Sequence, residues 1–521
     1  MFSTLLPKQV AFNRILLLII ALNFLSRLVL VLKPLPYLDG KTVPDDAYLS
    51  LHIARSIGNG QGPWYDDVYT NGFQPLYVFL MAPVYALSDD QVEAPVTIAL
   101  LLLSIFDTAT LAVLLLWIRK MTSTSIAVLT SILWIFNDYI IQTSLNGLET
   151  IMATFFIVTA AYYFYLIYYQ KKERKNIHFI GLGLFAGLAC LTRVDSLIFA
   201  FILGIFILIR EFPDKKLWII RSGFYGISAL AVFSIWIAYS LYYTGLWYPE
   251  SGKAVRLISL THINFKTNLA FFQKMFWQAG VVEWKGNGFL IVLIAIMLLV
   301  AWRKKALKFS SFNPILPIGI FCISILLAYT CYVFTDWYFY RYFFPLTIAF
   351  LLIFALLANT IFPFLTASKK IYYGGLILAI WFIPLFIKGT FVDYYIGPPS
   401  KTLGYRNIAV WANENFPEGT IIGASQTGAL GYFCTKLKVV NLDGVVNGEC
   451  YKYLVEDRNM DYIRLRKIEY ILGWTINMDF IRLRTKNFQE SELELIKNID
   501  DFYSWNNQWG VYRVMPPASH Q

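Results

Sequence analysis

The sequence predicts a polytopic α-helical membrane protein with a small α/β domain at its C-terminal end. Of its 521 residues, 57% are hydrophobic and 15% are charged, with a mean hydropathy of +0.55; a soluble domain carries about 25% charged residues. Apolar runs close to the ~20 residues that cross a bilayer recur along the first three quarters of the chain. Beyond about residue 390, strand patterns alternate with helical ones, which is typical of an α/β domain.

The basic residues indicate the membrane orientation. The formal net charge is +11, yet Lys and Arg cluster in short loops between apolar runs, as topology signals do, so we expect no nucleic-acid partner. Lys8 lies before the first apolar run and Arg14 lies at its start, and the run is too long for a cleaved signal peptide. We therefore predict an uncleaved first span that starts in the cytoplasm. The expected location is a plasma (inner) membrane, with the active site and the C-terminal domain on the extracytoplasmic side.

Placing every basic cluster in the cytoplasm predicts about eleven spans. Residues 74–87 are apolar but short and contain two prolines, so we predict a surface or re-entrant helix there. A transmembrane module is expected over 1–390, with a first outer loop and surface helices over 34–94, and a soluble α/β domain over 391–521. The predicted spans are 12–33, 95–118, 124–143, 150–169, 178–192, 196–210, 219–242, 288–302, 314–334, 343–362 and 371–388.

The C-terminal domain is predicted from short periodic segments and contains two cysteines. Cys434 and Cys450 could form a disulfide if the domain is extracytoplasmic, and free thiols are the equal alternative. The expected elements are a helix at 407–416 and strands at 420–424, 438–442, 469–472 and 510–514.

Two adjacent carboxylates at the start of the first outer loop are the strongest functional signal. Asp45 and Asp46 follow the first span closely, and a carboxylate beside lipid is costly to keep. Adjacent carboxylates repel, which raises one pKa and favours a general base. The alternative is helix capping, because an Asp also suits the position before the helical pattern AYLSLHIARSI. The two roles are compatible.

Further polar side chains gather on the same predicted face. Arg341 stands among aromatics at the end of a span and suits a lipid phosphate, although an aromatic belt with a snorkelling Arg has the same pattern. Lys253 and Arg256 are similar phosphate candidates. Arg193 with Asp195 could be a structural ion pair, and Glu149 could stabilise a helix start. The candidate substrate-binding residues are Tyr48, Arg55, Asn71, Gln74, Glu149, Arg193 and Tyr338.

Several local segments together resemble the GT-C glycosyltransferases. The segments are DDAYLSLHIARSI, TNGFQPLYVFLMAPVY, SLNGLET, GLACLTRVDSL and YRYFFPL. Within that superfamily the chain is most similar to the branch of protein O-mannosyltransferases and lipid A aminoarabinose transferases. A WWD-type tripeptide, expected of the oligosaccharyltransferase branch, does not occur in the sequence.

The resemblance implies a polyprenyl-phosphate sugar donor and an inverting transfer of a hexose or pentose to a protein, lipid or glycan hydroxyl at the outer face of the bilayer. It also implies that Asp45 is the base and Asp46 a supporting residue. Gln74 departs from the pattern, because relatives often carry a phosphate-binding Lys there. Phosphate binding would then rely on Arg341, Lys253 or Arg256.

Other functions and a metal requirement stay open at this stage. A transporter or flippase of lipid-linked glycans would carry ionisable groups deep in the bundle, and Asp107 is such a group inside a span. A non-catalytic scaffold would leave the acidic pair unexplained. The sequence predicts no dedicated metal ligands, although Mg²⁺ or Mn²⁺ held between the acidic pair and a donor phosphate is an alternative.

Overall fold

The structure is a computed structural model of the chain. It describes residues 8–88, 91–170, 174–262, 287–329, 339–365, 394–396, 404–504 and 507–516. Helices form the N-terminal part, and a five-stranded sheet with flanking helices forms the C-terminal part.

Long apolar helices make this a multi-pass membrane protein. Among the described residues, six helices are long and apolar enough to cross a membrane, or seven if a pair bent by 66° at residues 136–137 is one span. The helices of this part are α1 (Lys8–Val31), α2 (Leu35–Leu38), α3 (Asp45–Gly58), α4 (Pro75–Ala86), α5 (Glu93–Met121), α6 (Thr124–Ile135), α7 (Asp138–Ser144), α8 (Thr150–Tyr169), α9 (Asn176–Thr192), α10 (Leu197–Glu211), α11 (Lys215–Thr244), α12 (Ser251–His262), α13 (Asn287–Arg303), α14 (Leu316–Ala328), α15 (Phe339–Tyr342) and α16 (Phe344–Leu365).

The predicted spans from 12–33 to 343–362 coincide with helices wherever the structure describes them. The predicted span 371–388 lies outside the described residues, so the total number of spans stays a prediction. The apolar stretch predicted as a surface helix forms α4, which has 12 residues and is therefore shorter than a span.

A buried ion pair links helices α1 and α5 in the interior of the helical bundle. Asp107 and Arg27 lie 3.1 Å apart with fully buried side chains. Asn23 donates a hydrogen bond of 2.7 Å to the Asp107 carboxylate, and the Trp134 indole donates another of 3.0 Å. Asp107 thus bonds side chains of two neighbouring helices, and its partners leave it embedded in a structural network.

The first loop (34–94) folds onto the C-terminal domain. It contains α3, α4 and a short hairpin of β1 (Trp64–Tyr65) and β2 (Val68–Tyr69). Helix α3 packs against α4 on one side and against helix α18 (Gly428–Phe433) of the C-terminal domain on the other. The start of α3, where the acidic pair lies, is thereby placed at the junction of the two parts.

The C-terminal domain is a mixed α/β fold, as predicted. The strands run in the order β4-β3-β5-β7-β6; β4, β3 and β5 are mutually parallel, while β7 is antiparallel to β5 and β6. The prediction missed β6 and most of the short helices. The elements are α17 (Tyr405–Asn415), β3 (Ile421–Ala424), α18 (Gly428–Phe433), β4 (Lys438–Asn441), α19 (Gly448–Val455), α20 (Asn459–Leu465), β5 (Tyr470–Trp474), α21 (Thr475–Leu483), β6 (Leu493–Ser504) and β7 (Asn507–Val514).

Cys434 and Cys450 are free and buried, which decides between the two alternatives that the sequence left open. Both thiols pack in the domain interior, where burial raises their pKa values. They therefore act as small apolar core residues.

Candidate active site

A cavity of about 940 Å³ lies between the helical part and the C-terminal domain. Its walls come from the start of α3, the start of α4, the α7–α8 turn, the turn before α10, helix α12 and three loops of the C-terminal domain. The predicted site residues that line it are Asp45, Asp46, Gln74, Glu149, Arg193 and Arg341.

Asp45 does not cap its own helix, because Pro44 occupies the N-cap position of α3 without a side-chain hydrogen bond. Its carboxylate instead accepts hydrogen bonds from the backbone N–H groups of Gly428 (2.9 Å) and Ala429 (2.8 Å) at the start of α18. Burial raises the pKa of Asp45 to about 7, against the lowering effect of these two bonds, and the charges of Asp46 and Asp443 raise it further. The result is a fixed carboxylate that titrates near neutral pH.

The close approach of α18 depends on a glycine. A Cβ atom at position 428 would collide with the backbone carbonyl oxygen of Asp45. A Cβ atom at position 72, in the first loop, would likewise collide with the backbone carbonyl oxygen of Val445. Both contacts join the first loop to the C-terminal domain beside the cavity, and both require the absence of a side chain.

Asp46 faces the cavity and pairs with a cation. Its carboxylate lies 3.0 Å from the Arg341 guanidinium, and the two side chains are 32% and 21% exposed. The Arg341 guanidinium also lies 5.1 Å from the centre of the Tyr342 ring. A partly exposed guanidinium beside a carboxylate and an aromatic ring is a suitable binding group for an anionic ligand.

A second ionic network lies on the membrane-module side of the same cavity. Arg193 donates to Glu149 at 2.8 Å and to Asp195 at 2.6 Å. Tyr329 donates to Asp195 at 2.6 Å, and its ring stacks on Tyr342 with centroids 4.2 Å apart. The predicted Arg193–Asp195 ion pair is thus present, and Glu149 serves it as a partner.

Sequence reasoning missed the contribution of the C-terminal domain. Asp443, two residues after β4, lines the cavity, and its side chain accepts a hydrogen bond of 2.9 Å from the Val445 N–H. Burial raises the pKa of Asp443 to about 7. The segment VVNLDG contains this residue, but an Asp before Gly is also an ordinary turn residue.

Asp66, in the tight turn between β1 and β2, holds the Asp443 loop in place. Its φ angle of 50° is in the left-handed region, which Asp tolerates better than most residues. Its buried carboxylate lies 2.6 Å from Arg466 and accepts hydrogen bonds from the Asn441 N–H (3.0 Å) and the Asn447 side chain (2.8 Å). Because Asn441 ends β4, this contact fixes the strand end that leads to Asp443.

Three predicted substrate-binding residues have structural partners outside the cavity lining. Tyr48 donates to Asp39 at 2.9 Å. Arg55 donates to the carbonyl of Tyr432 at 3.0 Å and lies over its ring. Asn71 bonds Ser240 and the Tyr248 carbonyl. The Tyr48 contact lies within the first loop, whereas those of Arg55 and Asn71 dock the loop onto its neighbours. A binding role for the three residues stays a prediction.

The remaining candidates lie away from the cavity or outside the described residues. Lys253 is exposed and donates to the Tyr248 hydroxyl at 2.7 Å. Arg256 is half-buried on α12 and does not line the cavity. Tyr338 lies outside the described residues. In the part of the chain that the structure describes, no group of three or more His, Cys, Asp or Glu side chains is placed to hold a metal ion.

Comparison with known proteins gives a fold but no family for the whole chain. A family model described as a domain of unknown function, DUF8728, matches residues 399–514. No curated protein matches the sequence. Solved structures of similar fold include an archaeal oligosaccharyltransferase and an ArnT protein.

The Archaeoglobus fulgidus oligosaccharyltransferase AglB, in complex with an inhibitory peptide and a dolichol-phosphate, is 13% identical, with a TM-score of 0.57 over 90% of this chain and 71% of that one. The same enzyme tethered to an acceptor peptide gives 14% identity and a TM-score of 0.58 over 98% and 75%. ArnT from Cupriavidus metallidurans, bound to undecaprenyl phosphate, gives 11% and 0.54 over 96% and 97%. The chain therefore has the GT-C fold predicted from its sequence. The oligosaccharyltransferase and ArnT structures resemble it to a similar degree.

Proposed function

We propose that this protein is a membrane glycosyltransferase that moves a sugar from a polyprenyl-phosphate-linked donor to an acceptor hydroxyl. The observation that carries the proposal is the meeting of a buried carboxylate, Asp45, and the Asp46–Arg341 ion pair in one cavity at the ends of the membrane helices. Such a transfer needs a base for the hydroxyl and a cation for the leaving phosphate. The cavity contains both.

Arg341 is the proposed phosphate ligand. Its guanidinium is always charged and can bind a phosphate through two parallel hydrogen bonds, and Asp46 orients it from 3.0 Å. Gln74, at the start of α4, also lines the cavity, and its side-chain amide carries N–H donors that suit a phosphate oxygen. Because Arg193 already holds two carboxylates, we assign the leaving phosphate to Arg341. The complexes of AglB with dolichol-phosphate and of ArnT with undecaprenyl phosphate support a donor of this class.

Asp45 is the proposed general base. An ionised carboxylate has about four lone-pair positions, and the two N–H donors of α18 occupy two of them. The others are left to accept the proton of an incoming hydroxyl. A base works best when its pKa is near the working pH, and burial raises the pKa of Asp45 to about 7. One such base is sufficient for an inverting single displacement at the anomeric carbon.

The transporter alternative has less support in this fold. Asp107, an ionisable residue inside a span, is enclosed by Arg27, Asn23 and Trp134. A carboxylate that serves a moving substrate must be reachable, and this one is fully buried. In contrast, the cavity carboxylates lie at the junction of the two modules, which we assign to the extracytoplasmic face because the basic loops predict that side.

The proposal is tested by the transfer of radiolabelled sugar from a panel of polyprenyl-phosphate monosaccharides, with the purified full-length protein beside Asp45→Asn. We expect turnover or hydrolysis of one donor, reduced at least 100-fold in the variant, because a general base contributes about 10²–10⁴ in rate. Asp461→Asn, an exposed carboxylate of the C-terminal domain outside the cavity, is the matched control. If no donor is consumed, and lipid-linked sugar crosses vesicles instead, the transporter alternative is correct.

A further inference from the structure

The C-terminal domain turns the carboxyl ends of its parallel strands toward the cavity. Strands β4, β3 and β5 are parallel neighbours. The segment after each one supplies cavity-lining residues: Ser425 to Thr427 after β3, Asp443 after β4, and Ile476 with Asn477 after β5. Ligands of α/β sheets bind outside the carboxyl ends of the strands. The carboxyl ends of the strands, where such domains usually bind ligands, thus face the membrane module. We call this end of the sheet, with its loops, the ligand edge.

Two polar groups on this edge have unused hydrogen-bonding capacity. Ser425 is 8% exposed, and its Oγ has no hydrogen-bond partner among the described residues. The same is true of the Gln426 Oε1, next to it in the β3–α18 turn. Buried polar groups are nearly always hydrogen-bonded, so each exception needs an explanation. A ligand rich in hydroxyl groups would provide the missing partners.

We propose that this edge is the acceptor subsite and that the acceptor is a carbohydrate; this inference rests on the proposed function. Ser425, Gln426 and Asp443 supply a hydroxyl, an amide and a carboxylate, which are the groups that bind several hydroxyls of one sugar ring. The half-buried ring of Tyr405, also in the lining, supplies an apolar face for the ring carbons. A peptide that binds by strand addition lies along the edge of a sheet, whereas these strands turn their carboxyl ends to the cavity.

Asp443 has a distinct role from Asp45 in this arrangement. The Val445 N–H fixes the Asp443 side chain, and Asp443 lines the same cavity as Asp45. Asp45 takes the proton from the attacking hydroxyl. Asp443 accepts a hydrogen bond from a second hydroxyl of the same ring and so orients the first. A single-hydroxyl acceptor such as a Ser side chain would gain nothing from Asp443.

The experiment is saturation-transfer NMR with the full-length protein in nanodiscs. The probes are methyl glycosides of mannose, glucose, galactose and N-acetylglucosamine, and a blocked pentapeptide with a central Thr. We expect at least one glycoside to receive saturation from the wild type and from Asp461→Asn, with the signal at least fivefold lower in Asp443→Asn and in Gln426→Ala. Thermal unfolding of all four proteins identifies any loss caused by misfolding, and Gln426→Ala keeps the test valid if Asp443→Asn unfolds.

Two results would overturn the inference: saturation of the peptide but of no glycoside, or glycoside signals that are unchanged in both cavity variants. Donor hydrolysis without acceptor separates this inference from the proposed function. Both reactions are measured well above pH 7, where Asp45 is ionised in both proteins. If Asp443→Asn loses transfer to the glycoside at least tenfold more than it loses donor hydrolysis, the acceptor role is supported. An equal loss of both reactions contradicts it. Glycoside binding by a wild type that consumes no donor overturns the glycosyltransferase function, and with it the acceptor role, while the carbohydrate site remains.

Discussion

Two of the carboxylate–arginine clusters in the described part of the molecule differ in how exposed they are. In the bundle interior, Asp107 and Arg27 are fully buried, and Asn23 and Trp134 add donors to the carboxylate. In the cavity, Asp46 and Arg341 are paired but remain 32% and 21% exposed. The first cluster is enclosed by its own partners, whereas the second faces a space of about 940 Å³.

This comparison separates a structural ion pair from a candidate site. Charges inside a membrane are costly unless they are paired, and pairing alone explains Asp107. Pairing does not explain why the cavity gathers carboxylates and arginines from the first loop, the helix ends and a separate domain. We infer that the interior pair holds the bundle together and that the cavity charges act on a ligand. Each prediction below perturbs one side of this comparison.

Of the variants described below, those of Arg341 should have the largest effect on activity. Arg341→Gln removes the cation that we assign to the leaving phosphate, and the loss of one such stabilising donor costs about 10²–10³ in kcat. Donor turnover under single-turnover conditions would measure it. Arg341→Lys should recover only part of the rate, because Lys cannot form the bidentate contact. Full activity of Arg341→Gln would remove this residue from the site.

Breaking the Asp107–Arg27 pair should lower the stability of the protein and leave the rate of donor turnover nearly unchanged. Asp107→Asn leaves the buried Arg27 charge uncompensated, which costs about 3–5 kcal/mol. The melting temperature in detergent should fall, while donor turnover per folded molecule stays near that of the wild type. The double variant Arg27→Met, Asp107→Leu should regain much of the stability. If Asp107→Asn is stable but inactive, the interior pair is functional and the transporter alternative gains support.

Moving α18 should affect the site by an intermediate amount. In Gly428→Ala the new Cβ would collide with the Asp45 carbonyl oxygen, so α18 must shift and weaken its N–H bonds to the Asp45 carboxylate. We expect about a tenfold loss of turnover, since small misplacements at a reacting centre can cost up to about 100-fold. Gly223→Ala, which meets nothing within 4 Å, is the control. Equal activity of the two variants would show that α18 does not position Asp45.

The pH dependence should report on the coupled carboxylates. Because burial raises the pKa of Asp45 to about 7, kcat/KM should rise with pH through about 7 and level off above it, where the base is ionised. The charge of Asp443 adds to this raised pKa, so Asp443→Asn should move the midpoint to lower pH. A rate that falls over the same range would assign the titrating group an acid role instead.

The smallest effect is expected at Lys253. This side chain is exposed, outside the cavity lining, and bonded to the Tyr248 hydroxyl. Lys253→Gln should therefore change donor turnover less than twofold, in contrast to Arg341→Gln in the same assay. A loss comparable to that of Arg341→Gln would return Lys253 to the phosphate site.

The sequence predicted the helical bundle and six of the residues that line the cavity. Both are visible in local sequence patterns, whereas contacts between distant residues are not. Apolar length locates spans without any knowledge of packing, and the acidic pair stands out beside lipid. The bond between Asp45 and Gly428 joins residues 383 positions apart, which no local pattern reveals. Arg55 and Asn71 make docking contacts, and their predicted substrate-binding role stays a prediction, because polar residues that dock a domain have the same sequence signal as those that bind a ligand.

The most direct test of the central claim is a cryo-electron microscopy structure of the protein with undecaprenyl phosphate. We predict density for the phosphate beside the Arg341 guanidinium, within reach of Asp46 and Gln74, with the lipid chain leaving toward the bilayer and Asp45 still bonded to the start of α18. Phosphate bound elsewhere, with the cavity between the two modules unchanged and unoccupied, would contradict the assignment of this cavity as the site of glycosyl transfer.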